Sequence, residues 1–290
     1  MTIKTLDESY IVIRHIDAEE EIERFICSSE KDGKRYIIIR IRNKKWIADT
    51  MKFFVRTREN NKFSDFHSCF IEEECLHLVF SYMEGMTLRE RLERSPGTLE
   101  ERMEIFRRIL ERVMILDMPE YIQCDVLKMD QIIITEALDI GFFYRLDDVE
   151  EYDIYGFEDV QKNLFYVFKQ IFSEEIRKRM VLPLIEFRDA LKSASSKNIL
   201  EVYQLYRIWM DVINGLPEEE KNTPRTLGFS AWESMKRLFQ PAKKVLELLL
   251  LVVAVVYFIY AISQVNRTSF TSNTYDYIGT LKIMDGQDEQ

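Results

Sequence analysis

Two histidine–cysteine pairs, His67-x-Cys69 and Cys75-x-His77, place four zinc-type side chains on either side of Glu72-Glu73-Glu74. Imidazole and thiolate are the donors of tetrahedral zinc sites, and alternation along a strand puts each pair on one face. The spacing argues against a metal. Zinc hairpins use a tight knuckle with two residues between cysteines, whereas each pair here has a single intervening residue. Packing in a protein interior explains the four residues, and no metal is expected. His15 stands alone, and no Ser-His-Asp arrangement can be assembled. Cys27, Cys69, Cys75 and Cys124 follow no disulfide spacing and read as reduced thiols of a cytosolic domain. Among carboxylates, Asp17, Glu19, Glu20 and Glu21 crowd one turn, where they would repel a phosphate-bearing ligand.

The elements that must position such groups follow from the patterning. Over 290 residues, 47% hydrophobic and 31% charged, both a sizeable core and a solvated surface can be built. The net charge of -10 disfavours nucleic acid, and no basic aromatic patch reverses it. Strands are expected over Tyr10–Ile16, Glu21–Ser28 and Arg35–Arg42, with Asp32-Gly33 as a turn. Trp46, Ile47, Met51, Phe54 and Val55 have helical spacing. A hairpin is expected of His67–Ile71 and Cys75–Phe80. Thr87-x-x-Glu90 is a capping box that opens a helix over Leu88–Arg94. Leu99 to Met114 form an apolar helical stripe. Short strands are expected at Ile132–Ile134 and Ile140–Leu146, and helices over Val160–Phe172, Ile176–Lys192 and Ile199–Ile213.

This order, strands with one inserted helix, then a hinge, then helices with a small hairpin, resembles the protein-kinase fold. CFIEEECLHLVFSYMEGMTLRERL, residues 69–92, resembles the kinase segment that runs through the fourth and fifth strands and the hinge. QCDVLKMDQIIIT, residues 123–135, resembles the catalytic loop. GFFYRLDD, residues 141–148, is similar to the strand that ends in the DFG motif, and DIYGFEDV, residues 153–160, to the start of the central C-lobe helix. The resemblance spans roughly residues 10–213. It implies an α+β, two-lobed protein-kinase-like fold with a truncated helical C-lobe: an N-lobe over residues 1–85 and a C-lobe over 86–216.

Carried over residue by residue, the resemblance implies degraded chemistry. Phosphoryl transfer needs positioning and charge neutralisation. The turn equivalent to the family's glycine-rich loop, HIDAEEEIER, has no glycine and is acidic. The family's phosphate-pairing lysine falls at Arg40, or at Ile39 if the strand is shifted, and arginine does not reproduce the compact ammonium. Its helix glutamate has no clear match, since Lys52 lies mid-helix and Glu59 comes too late. Asp125 matches the catalytic aspartate, with Gln123 and Cys124 as altered neighbours. The metal-binding asparagine maps to Asp130, or to Gln131 if one residue is inserted. Asp147 matches the DFG aspartate, followed by Asp148 and Val149. Almost no activation segment separates Asp147 from Asp153. No catalytic, cofactor or metal role is therefore expected of these degenerate equivalents. The alternative is a divergent Ser/Thr kinase that binds ATP and magnesium through Arg40, Asp125 and Asp147.

Residues 217–244 read as a linker and a basic juxtamembrane segment. Leu248–Val265 is free of charge, and at 1.5 Å per residue it spans roughly 27 Å. A transmembrane helix over Val245–Val265 is expected. Lys236, Arg237, Lys243 and Lys244 precede it and only Arg267 soon follows. The positive-inside rule then puts the large domain in the cytoplasm and the tail, residues 266–290, outside. The N-terminus has no apolar signal-peptide region. The combined expectation is a single-pass bacterial membrane pseudokinase that binds protein partners at the cytoplasmic face, homo-oligomers among them. The layout also resembles the kinase-like membrane subunit of type VII secretion systems of Gram-positive bacteria, though with a far shorter external tail.

Overall fold

The computed structural model describes residues 1–5, 8–59, 63–147, 149, 153–193 and 196–217, with 221, 257, 260 and 262 as isolated positions. Contacts divide the chain into Met1–Pro224 and Arg225–Gln290. Of the second unit, Tyr257, Tyr260 and Ile262 are described; each is helical and exposed. No helix among the described residues is long and apolar enough to cross a membrane. The span expected over Val245–Val265 lies almost wholly outside the described residues.

The first unit is mixed α+β, built on a curled antiparallel sheet. Its strands are β1 (Thr2–Lys4), β2 (Ser9–Ala18), β3 (Ile22–Ser29), β4 (Arg35–Ile41), β5 (Phe66–Glu72) and β6 (Cys75–Ser81), in the order β1-β2-β3-β4-β6-β5. Helix α1 (Lys44–Glu59) is inserted between β4 and β5. Alternation divides β3 and β4 cleanly. Ile22, Ile37, Ile39 and Ile41 join Phe54 of α1 in the main core. Phe25, Cys27, Tyr36 and Ile38 face the other way, where Ile3 and Tyr10 cover them in a smaller core. β1 has no counterpart in the sequence reading; it pairs with β2, and the curl lets its Ile3 bury apolar surface on the second face.

Tyr82–Gly85 leaves the sheet as an irregular link. A side chain at Gly85 would meet the Ile134 carbonyl oxygen at 2.5 Å, so only glycine permits this approach. The expected small hairpin is a three-stranded sheet of β7 (Met86–Thr87), β8 (Ile132–Ile134) and β9 (Ile140–Phe142). Helices α2 (Leu88–Arg94), α3 (Leu99–Leu116), α4 (Glu120–Val126), α5 (Phe157–Ile171), α6 (Leu182–Lys192) and α7 (Ile199–Asn214) make up the rest. The Thr87–Glu90 capping box is present at α2. Two expectations are corrected. The helix expected over Ile176–Lys192 is broken: a π-helical turn, Glu175–Arg179, ends at Met180 with φ 55°, and α6 restarts with Pro183 in its first turn, the position where a missing N–H costs least. The catalytic-loop-like Gln123-Cys124-Asp125 is also not a loop, since all three lie in α4.

Candidate functional site

Arg24 is the centre of the site. It lies on β3 between Ile22 and Ile26, facing the main core, and its side chain has 0% exposure. A buried guanidinium requires acceptors, and here each of its three nitrogens has one. Nε donates to the Arg145 carbonyl at 2.8 Å, Nη1 to Asp17 and Glu19 at 2.9 Å each, and Nη2 to Asp147 at 2.8 Å. Burial alone would lower its pKa; Asp17 and Glu19 outweigh this and raise it. Arg145 adds Nη2 contacts to Asp17 at 3.2 Å and to Glu19 at 3.4 Å. Lys128 lies 3.4 Å from Asp125 and 3.5 Å from Asp147. Four carboxylates thus face three cations.

Asp125 forms the floor. It is buried, and its Oδ2 accepts the backbone N–H of Arg145 at 3.2 Å and of Leu146 at 2.9 Å. Burial pushes its carboxyl pKa up, against the pull of Lys128 and these N–H groups. Leu146 carries φ 54°, a left-handed conformation that costs a leucine of order 1–3 kcal/mol. Its N–H bond to Asp125 helps hold that turn, from which Asp147 meets Arg24. Tyr121 of α4 donates to the Asp147 carbonyl at 2.8 Å.

The sequence-derived residues separate accordingly. Asp125 and Asp147 come together, through Lys128. Gln131 is the inward residue, with Nε2 3.5 Å from Asp125. Asp130 points outward and pairs with Arg89 at 2.5 and 2.9 Å. Arg40 does not reach the site. It lies on the opposite face of the sheet, bonded to Glu23 and over the Phe25 ring at 5.3 Å. The inward residue is Ile39, directly across the ladder from Arg24. The buried positions of α1 described, Thr50 and Phe54, carry no carboxylate. In the acidic turn, Asp17 and Glu19 pair with Arg24 and Arg145, although Glu19 stays 54% exposed.

Arg24, Arg145 and Lys128 were not among the residues singled out from the sequence. The signal for Arg24 was available: a charged residue in register with Ile22 and Ile26 on a buried strand face must find carboxylates.

The zinc-type residues do not converge. The turn at Glu73-Glu74 sets Glu72 opposite Cys75, Phe70 opposite His77 and Cys69 opposite Leu78, and the register shifts between Phe66 and Ser68, at His67. Cys69 packs toward the main core, while His77 stacks on Phe70 at the other face. No metal-binding group is found among the described residues. Burial pushes the Cys27 and Cys124 thiols up to about 12, which leaves them unreactive. A cavity of about 620 Å³ lies elsewhere, lined by Lys4, Thr5, Glu8, Tyr10, Arg58 and His67–Glu72. No family model matches the chain, and none of the curated proteins matches it in sequence.

Proposed function

We infer that this chain is a non-catalytic, protein-kinase-like module that works as a protein-interaction scaffold at a membrane. One observation carries the reading: the position where the family neutralises phosphate is occupied by the protein's own ion cluster. Each of the three Arg24 nitrogens donates to a group of the chain itself: Asp17, Glu19, Asp147 or the Arg145 carbonyl. The strand position facing it is Ile39, not a lysine, and Asp147 is held by cations of the chain rather than left open for magnesium. The order of elements supports the kinase-like part: an antiparallel sheet with one inserted helix, the link at Tyr82–Gly85, then helices with a small sheet.

The membrane part rests on the uncharged run Leu248–Val265 with its basic N-terminal flank. The large domain is then cytoplasmic and the tail outside. A component of a secretion or signalling complex fits that layout, as does a scaffold that self-associates.

A second reading, a divergent Ser/Thr kinase using Mg-ATP, is favoured by the convergence of Asp125, Lys128 and Asp147. Calorimetric titration of the full-length chain with Mg-ATP separates the two. The scaffold reading expects no binding tighter than about 1 mM, roughly -4 kcal/mol. Tighter binding that is lost in Asp147→Ala would overturn it in favour of the kinase.

A further inference from the structure

We propose that the open edge of β5 is a docking site for an extended, acidic segment of a partner protein, received as an added strand of the sheet. The proposal rests on the scaffold reading above and gives it a surface and a kind of partner.

β5 ends the six-stranded sheet, and among the described residues its ladder partner is β6 alone. Its outer side therefore presents backbone N–H and C=O groups without strand partners. The cavity of about 620 Å³ follows that side, lined by the six consecutive residues His67–Glu72. Successive side chains of a strand point to opposite faces, so a cavity that meets all of them runs along the edge rather than over one face. The walls agree. Phe70 and Glu72 belong to the face covered by β1: Phe70 packs on the smaller core, and Glu72 accepts the Lys4 N–H at 3.4 Å. Cys69 belongs to the face of the main core, and Arg58, from the last turn of α1, lines the cavity with it. A strand laid in the cavity meets both walls.

Natural edges are shielded by shortness, lysine, proline or a bulge. β1, the other terminal strand, has three residues, one of them Lys4. β5 has seven, with neither lysine nor proline, and Ile71 on it is 54% exposed. Its register shift lies at His67, and Ser68 to Glu72 pair regularly with β6. Seven residues span roughly 23 Å, enough to pair with a short extended segment. The charges select its chemistry. Glu8 is engaged by Tyr10 at 2.8 Å, Ser29 at 2.7 Å and His67 at 3.4 Å. Lys4 and Arg58 are exposed on opposite walls, and neither side chain has an ion-pair partner among the described residues. The carboxylates of the lining are thus engaged within the chain while two cations are open, which favours acidic side chains on the incoming strand. The β5 edge of a second copy would bring its own Lys4 and Arg58, cation against cation, so a single acidic segment is the better occupant.

The test selects random short peptides, displayed on phage, against the full-length chain in detergent micelles; the enriched peptides are synthesised and serve as probes. They should alternate β-branched residues with at least one Asp or Glu. Amide hydrogen exchange is then read with and without peptide. In the chain alone, alternate amides of Ser68–Ile71 should exchange fast, because they point away from β6. Bound peptide should slow that set by about tenfold, while Ile105–Val113 inside α3 stays as before. Arg58→Glu should weaken binding by about tenfold. Arg56→Glu, the same charge change on the same helix but outside the cavity lining, should leave it unchanged. Ile71→Lys, which supplies the missing edge lysine, should abolish the protection of β5. Peptides that bind without slowing β5, or a selection that yields none dependent on Ile71 and Arg58, overturn the proposal. So does protection of β5 that grows with chain concentration alone, which gives the edge to a second copy. The Mg-ATP titration reads Asp147 and not β5, so the two readings fail separately.

Discussion

Arg24 and Arg40 sit on neighbouring strands, both against carboxylates, yet on opposite faces of one sheet. Arg40 pairs with Glu23, 17 positions away on the adjacent strand, and Arg42 shares that carboxylate. Arg24 spans a separation of 123 residues to Asp147. The chemistry is the same and the consequence differs. The outer arginine ties strand to strand within a ladder that backbone bonds already hold. The inner one ties the sheet to a segment beyond the link at Tyr82–Gly85, where no ladder exists. A strand's alternation, rather than its composition, decides which arginine becomes structural at long range.

The comparison breaks most sharply at Arg24 itself. Arg24→Met should destabilise the domain by about 4 kcal/mol in urea unfolding, with the slope unchanged, because removing one partner of a buried ionic group leaves the others uncompensated. Arg24→Lys should restore little of it, since a point charge cannot make four directed bonds. A loss below about 1 kcal/mol would mean that Arg145 and Lys128 already suffice for the cluster.

The outer face is read through His77, which lies across the ladder from Arg40. Burial pushes its pKa down from 6.5 to about 4, with the Arg40 charge acting the same way. A folded-state pKa below the unfolded one means the native ring stays neutral while the unfolded chain binds a proton. Stability is therefore full above about pH 6.5 and falls as the pH drops toward 4, by about 3 kcal/mol over the whole window. His77→Phe, which preserves the stack on Phe70, should flatten that slope. Arg40→Met should reduce it and cost about 2 kcal/mol at neutral pH, less than a fully broken buried pair because Glu23 keeps Arg42. A slope unchanged by His77→Phe would assign it to the carboxylates instead.

Much of this architecture was legible from local pattern. The sheet strands after β1, α1 and the capping box at Thr87 all follow from periodicity or local motif. What escaped was set by register and by tertiary charge. Alternation over Arg35–Arg42 fits either Ile39 or Arg40 facing inward, and the choice falls to the isoleucine because Ile37 and Ile41 share its face in the main core. A bulge at Phe66–Ser68 separated residues that simple alternation had grouped. β1 is too short to carry a pattern, and α4 holds in its last turn an aspartate, Asp125, whose burial no local rule foretells. The acidic turn was read as bare charge because pairing with Arg24 depends on the β2–β3 register and Arg145 comes from beyond β9.

The smallest effect belongs to Asp130, and it tests which of Asp130 and Gln131 serves the cluster. Asp130 and Arg89 form a two-pronged pair, but their side chains are 62% and 53% exposed, and exposed pairs contribute little. Arg89 holds the Asp130 carboxyl below the usual range, which water largely screens at this exposure. Asp130→Asn should therefore cost under about 0.5 kcal/mol and leave exchange at Leu146 unaltered. Gln131 is 2% exposed and lies beside Asp125, so Gln131→Ala opens space against the floor of the site and should speed exchange at Leu146. If Asp130→Asn instead loosens Leu146 and Gln131→Ala does not, Asp130 belongs to the cluster, and the inward position passes to a carboxylate suited to a cation.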